Sequence, residues 1–181
     1  AAAAHPQTVC WSKTDDEASF SDPTTDPSWN SDFQPLIDTP GAITGMVKVG
    51  EDAIVIFKST SCHLMSRTGD AAIYSFQVLH SGPLAGTNDS SSIVVDGRDV
   101  YYLCASGHLC RMRDLGSPEV LLTDPLVAWA AEADRYLRDE IGFLETEAVH
   151  SVLLKTLDVL LIHHRQTTAT AYSSRVFAYG L

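Results

Sequence analysis

The chain has 181 residues, 45% of them hydrophobic, which is enough apolar side chain for one domain or one and a half around a buried core. Its formal net charge of -11, with only 12 Lys and Arg, excludes the broad basic face that tight duplex binding needs for counterion release. No run approaches the roughly 18 apolar residues of a helical membrane span, and Cys10, Cys62, Cys104 and Cys110 are too sparse for a disulfide scaffold, so reduced, buried thiols are expected.

The opening AAAAHPQ lacks the basic and long apolar regions of a signal peptide and reads as a processed or tagged end. Residues 1–41 are expected to form an acidic arm and loop, rich in Pro, Ser and Thr, with one short strand. From residue 13 to 41 no apolar period is sustained, and two Asp-Pro steps disfavour helix because the residue before proline is pushed out of the α region. Asp15, Asp16, Asp22, Asp26 and Asp32 lack the alternation and central Gly of an EF-hand loop, so they are read as a solvated acidic loop and not as a calcium site.

From residue 42 to 181 the texture changes to short apolar runs broken by turn residues every eight to twelve positions, the pattern of antiparallel all-β folds. Strands are expected over 43–49, 53–58, 62–66, 73–79, 92–95, 100–104 and 108–113. GED at Gly50, STS at Ser59, RTGD at Arg67, DGRD at Asp96 and ASG at Ala105 supply hairpin connections, because Gly, Asp and Ser tolerate turn dihedrals. The segments are expected to be antiparallel neighbours and not βαβ units.

A repeat sharpens this. Shifted by about 46 residues, MVKVGEDAIVIFKSTSCHLM falls without a gap on SIVVDGRDVYYLCASGHLCR, so that Val47 meets Ile93, Ile54 meets Val100 and Phe57 meets Leu103. That period suits a propeller blade. A looser third copy starts at Ser151, with Leu154 standing for Val95 and Val159 to Ile162 for Val100 to Leu103. Between the second and third copies, apolar positions at spacings of three and four after Thr123 or Asp124 and Pro125 predict an inserted amphipathic helix near 124–142. The expected fold is therefore mainly β, with antiparallel propeller-type blades making a partial propeller and one inserted helix.

Residues with chemistry were weighed against plainer roles. Across the ASG turn, Cys104, His108 and Cys110 could converge as soft ligands, but structural zinc takes four ligands and no second cysteine pair exists. In the gap-free alignment these positions hold Lys58, Cys62 and Leu64, so position 110 is expected to be a core slot filled by a small apolar thiol. His163 and His164, adjacent on a strand, point to opposite faces. His5, His63, His80 and His150 have no partner at metal-motif spacing. G-x-S-x-G, phosphate-loop and H-E-x-x-H motifs are absent, HSGPLAG reads as a turn, and WSKTDDEASF lacks the Gly and closing Trp of a sialidase Asp-box. Asn88-Asp89-Ser90 matches the glycosylation sequon, a pattern of low specificity. No catalytic residue, cofactor or metal is expected, and the chain is not expected to be an enzyme.

The order of segments carries a resemblance. TVCWSKTDD with Trp11-Ser12, the acidic loop, GAITGMVKVGEDAIVIFKSTSCHLMSRTG, YSFQVL and SSSIVVDGRDVYYLCASGHLCRM follow one another before the helix. This resembles the β-propeller structural proteins of bacteriophage tails, especially the tail nozzle or tail tubular protein B type of short-tailed phages. The likeness spans about residues 8 to 165 and rests on strand-and-turn texture. It implies a structural virion protein of the tail, assembled in the host cytoplasm. Copies would form a homo-oligomeric ring, with six as the expected number, between other tail proteins and around DNA that passes without specific binding. Three recognisable blades do not close a propeller of four to eight. The resemblance therefore leaves open a longer chain, blades from other copies, or a smaller open β assembly. A cellular propeller-like module that binds protein or glycan is the alternative expectation.

Overall fold

Antiparallel strands make up most of what the computed structural model describes, which is residues 6–12, 32–68, 74–121, 149–154, 159–168 and 171–180. Among these residues the only helical segments are two 3₁₀ turns of three residues each, and no helix is long and apolar enough to cross a membrane. The helix expected at 124–142 and the acidic stretch 13–31 lie outside the described residues. The chain divides into two compact units, Ala1–Ile43 and Thr44–Leu181.

In the first unit, β1 (Thr8–Trp11) pairs antiparallel with β2 (Asp32–Pro35), Val9 opposite Gln34 and Cys10 opposite Phe33. Two strands thus stand where the sequence suggested one. Pro35 is tolerated because both strands of a two-stranded sheet are edges and a missing N–H costs no ladder bond. Beyond the ladder, the Leu36 N–H donates to the Gln7 carbonyl at 2.8 Å and the Ile43 N–H to that of Pro6 at 2.7 Å.

Three sheets follow, each with its strands in chain order. The first contains β3 (Ile43–Val49), β4 (Ala53–Lys58), β5 (Ser61–Arg67) and β6 (Tyr74–Ser81). The second contains β7 (Val94–Asp96), β8 (Asp99–Leu103), β9 (Leu109–Met112) and β10 (Glu119–Val120). The third contains β11 (Val149–Leu154), β12 (Val159–Thr168) and β13 (Ala171–Gly180). The strand expected over 92–95 begins later, because Ser90–Ser92 forms a 3₁₀ turn. Asp89 holds that turn: its Oδ1 accepts from the Ser91 N–H at 2.8 Å and from the Ser91 hydroxyl at 2.5 Å, giving the backbone a local alternative to the ladder. Asp96 then pairs with Asp99, leaving Gly97-Arg98 as a two-residue connection, and Gly97 has the positive φ of 61° that a tight hairpin of matching twist requires.

The second sheet is buried on both faces, which explains why VYYLC reads as a nearly continuous apolar run instead of alternating. Val100, Tyr102, Cys104, Cys110 and Met112 join Val49, Val55, Phe57 and Cys62 of the first sheet in one core cluster. The alternate residues Tyr101, Leu103 and Leu109 form a second cluster with Leu160 and Ile162 of β12. At the centre of the first cluster the Phe57 and Tyr102 rings lie 4.9 Å apart and tilted by 56°. Burying side chains of this size contributes about 2–3 kcal/mol each.

The connection from β6 to β7 ties the ends of the β4–β5 and β8–β9 hairpins together. The Thr87 N–H donates to the Lys58 carbonyl at 3.0 Å, and the Ala105 N–H to the Gly86 carbonyl at 3.0 Å. The Tyr102 hydroxyl donates to the Leu84 carbonyl at 2.6 Å, and the fully buried Thr87 hydroxyl to that of Leu103 at 2.7 Å. Gly86 is required here because a Cβ would collide with the backbone of Lys58 and Ser59.

Candidate functional site

The β8–β9 hairpin places the residues that the sequence singled out. Tyr102 pairs with Cys110 and Leu103 with Leu109, which leaves residues 104–108 as the connection. The Cys104 N–H donates to the His108 carbonyl at 2.9 Å, and the Gly107 N–H to the Cys104 carbonyl at 2.8 Å, so the connection is tightly wound. Side chains alternate along paired strands, and Cys104 and Cys110 therefore share the face that packs on the first sheet. Both are buried, and no disulfide joins any of Cys10, Cys62, Cys104 and Cys110.

Cys104 sits in a cradle of donors. The Cys110 thiol, the Ser106 hydroxyl at 3.0 Å and the backbone N–H groups of Ser106 and His108 converge on its sulfur. The Cys110 hydrogen bond is the largest influence, and together these donors outweigh burial and bring the Cys104 thiol down to about 6. Cys62, across the same core, behaves oppositely: burial pushes its thiol up to about 12, against a weaker backbone hydrogen bond from His80. Its Sγ donates to the Met112 sulfur at 3.9 Å. Burial likewise raises the Tyr102 phenol.

The pairing also corrects the alignment by one residue, while position 110 is the fully buried core position that was expected. Phe57 pairs with Cys62 across β4 and β5, whereas Leu103 pairs with Leu109, so the second hairpin loop is one residue longer. The counterpart of Cys110 is then His63, paired with Ile56 as Cys110 is with Tyr102, and the counterpart of Met112 is Met65. A single slip exchanges the two faces of a strand. Cys104 and Cys110 thus occupy the places of Lys58 and His63, both also buried, and not those of a lysine and a leucine. The third copy slips in the same way: Leu160 and Ile162 of β12 face the second sheet, one position out of step with Val100 and Tyr102.

The other candidates are dispersed. No group of three or more His, Cys, Asp or Glu able to hold a metal occurs among the described residues. The Asp15, Asp16, Asp22 and Asp26 carboxylates lie outside those residues, and so does His5. The His80 ring shares a hydrogen bond with the Leu115 carbonyl at 3.1 Å. His163 is the register partner of His150, a juxtaposition that motif spacing did not signal, and His164 is that of Val149. Near the opposite end of the β8–β9 hairpin, Arg111 bonds Asp99 through Nε at 3.1 Å and through its terminal amine, and its guanidinium lies 5.4 Å from the centre of the Tyr101 ring. Burial acts to raise the Asp99 carboxyl, but Arg111 and the Asp114 N–H outweigh it and hold it below the ordinary value. This pair joins β8 to β9 and so is a structural clasp.

No family model matches the chain, and no curated protein matches it.

Proposed function

We propose that the protein is a structural component of a short-tailed bacteriophage tail, with its sheets acting as blades of a propeller-type assembly of the nozzle or tail-tube kind. The observation that carries this reading is the succession of antiparallel sheets, each with its strands in chain order and each packed face to face on the next. A propeller is built by that succession, because a four-stranded sheet buried on both faces is stable only between neighbours. The spacing of the first two sheets and the Trp11-Ser12 to Cys110 segment order agree with it.

On this reading copies of the chain form a ring, six in number, between other tail proteins, in a virion assembled in the host cytoplasm. The net charge of -11 suits a conduit that DNA crosses without being retained, since like charge opposes adsorption of phosphate. Sizing and electron microscopy of the full chain, with mass spectrometry of purified particles, test the proposal. A ring-shaped oligomer and its peptides in the tail fraction are expected. A monomer at all concentrations that is absent from particles would refute the assignment.

A further inference from the structure

We propose that Cys104 and Cys110 form a thiol–disulfide exchange site, in which Cys104 attacks a small disulfide and Cys110 resolves the product into an intramolecular bond. Three observations carry this. The hairpin register puts both side chains on one face at the turn end of β8 and β9. The Cys110 thiol already hydrogen-bonds the Cys104 sulfur, so the two sulfurs are neighbours. The Ser106 hydroxyl and the N–H groups of Ser106 and His108 aim at that same sulfur, a concave set of donors of the kind that stabilises an anion.

The chemistry balances with a disulfide RSSR as oxidant. The Cys104 thiolate attacks one sulfur, breaking the RS–SR bond, forming Cys104–S–SR and expelling RS⁻, which takes up the proton that Cys104 had released. The Cys110 sulfur then attacks Cys104 Sγ, forming the Cys104–Cys110 bond as the second RS⁻ leaves and takes the Cys110 proton. The protein pair loses two electrons and two protons, and RSSR is reduced to two RSH. Cys62 does not compete, since burial keeps its thiol protonated. Access requires the turn to open, breaking the Gly107 N–H bond to Cys104 and the Ala105 N–H bond to Gly86.

The test treats the folded full chain with oxidised glutathione, blocks remaining thiols with iodoacetamide, and maps tryptic peptides. Cleavage after Arg98 and Arg111 leaves both cysteines in one fragment, residues 99–111. Loss of two hydrogens from that fragment, with no alkylation of it, is expected, while Cys10, free and exposed, serves as the accessible reference. Cys110→Ser should trap the mixed disulfide on Cys104. Cys110→Ala, which removes the donor at position 110, should move the pH midpoint of Cys104 alkylation from near 6 towards the usual value of about 8.5. Both cysteines of 99–111 remaining alkylatable after Cys10 has exchanged would overturn the proposal. That wild-type result decides the matter even if Cys110→Ser does not fold. An unchanged midpoint in a folded Cys110→Ala protein would also overturn it.

Discussion

Removing one oxygen tests how the first two sheets are joined. Tyr102→Phe deletes the hydroxyl that donates to the Leu84 carbonyl at 2.6 Å and leaves the ring against Phe57, 4.9 Å away. The loss combines the net worth of a neutral hydrogen bond, about 1 kcal/mol, with part of the penalty for an acceptor left unpaired, so a destabilisation of about 1.5 kcal/mol is expected. For a unit the size of Thr44–Leu181 this lowers Tm by about 4 °C. Tyr102→Ala additionally opens a cavity between the sheets and should cost about 3–5 kcal/mol. Urea titrations followed by far-UV circular dichroism measure both, with a lower midpoint and an unchanged slope expected for the phenylalanine variant. If Tyr102→Phe unfolds within about 0.3 kcal/mol of wild type, the Leu84 bond does not help to hold the connection, and the account of how it ties the two hairpins fails.

Other perturbations follow from the same contacts. Gly86→Ala forces a methyl into the backbone of Lys58 and Ser59 and should cost about 3 kcal/mol, read from the same titration. Thr87→Val leaves the buried Leu103 carbonyl without its 2.7 Å donor and should cost about 2 kcal/mol, whereas Thr87→Ser, which keeps the hydroxyl, should lose much less. Thiol titration gives stability a two-sided pH dependence. The depressed Cys104 group makes the unfolded chain hold its proton longer, so its contribution grows from pH 6 towards 9 and is lost as pH falls through about 6. The raised Cys62 group acts in reverse, and its contribution is lost as pH rises from about 9 to about 12. Thermal melts across pH should show the first slope vanish in Cys104→Ser and the second diminish in Cys62→Ala. A parallel pH profile in either variant would refute the corresponding assignment.

Much of the strand-and-turn layout was legible because local rules govern it. Alternation, β-branched and aromatic runs, and the Gly-containing turns marked β3 and β4 at their observed bounds, and DGRD marked a hairpin that the Asp96–Asp99 pair tightens to two residues. The 3₁₀ turn at Ser90–Ser92 was missed because Asp89 satisfies Ser91 through its side chain, a competition that apolar periodicity does not register. The repeat alignment beyond the turn was misplaced for a different reason, although the buried, unbridged thiols were expected. CASGHLC already brings Cys104 and Cys110 together across the turn, but which residue of the first hairpin corresponds to Cys110 depends on the pairing, and a loop longer by one residue reverses every face of the alignment beyond it.

Composition and period thus established an antiparallel β chain with reduced thiols and no broad basic face, since those properties are sums over residues or follow from neighbours in the chain. Folding settled that the second sheet is covered on both sides, and that Cys104 and Cys110 meet under one turn with four donors around a single sulfur. Those outcomes depend on long-range register and face-to-face packing, where residues far apart in the chain choose each other's partners and no local pattern encodes the choice.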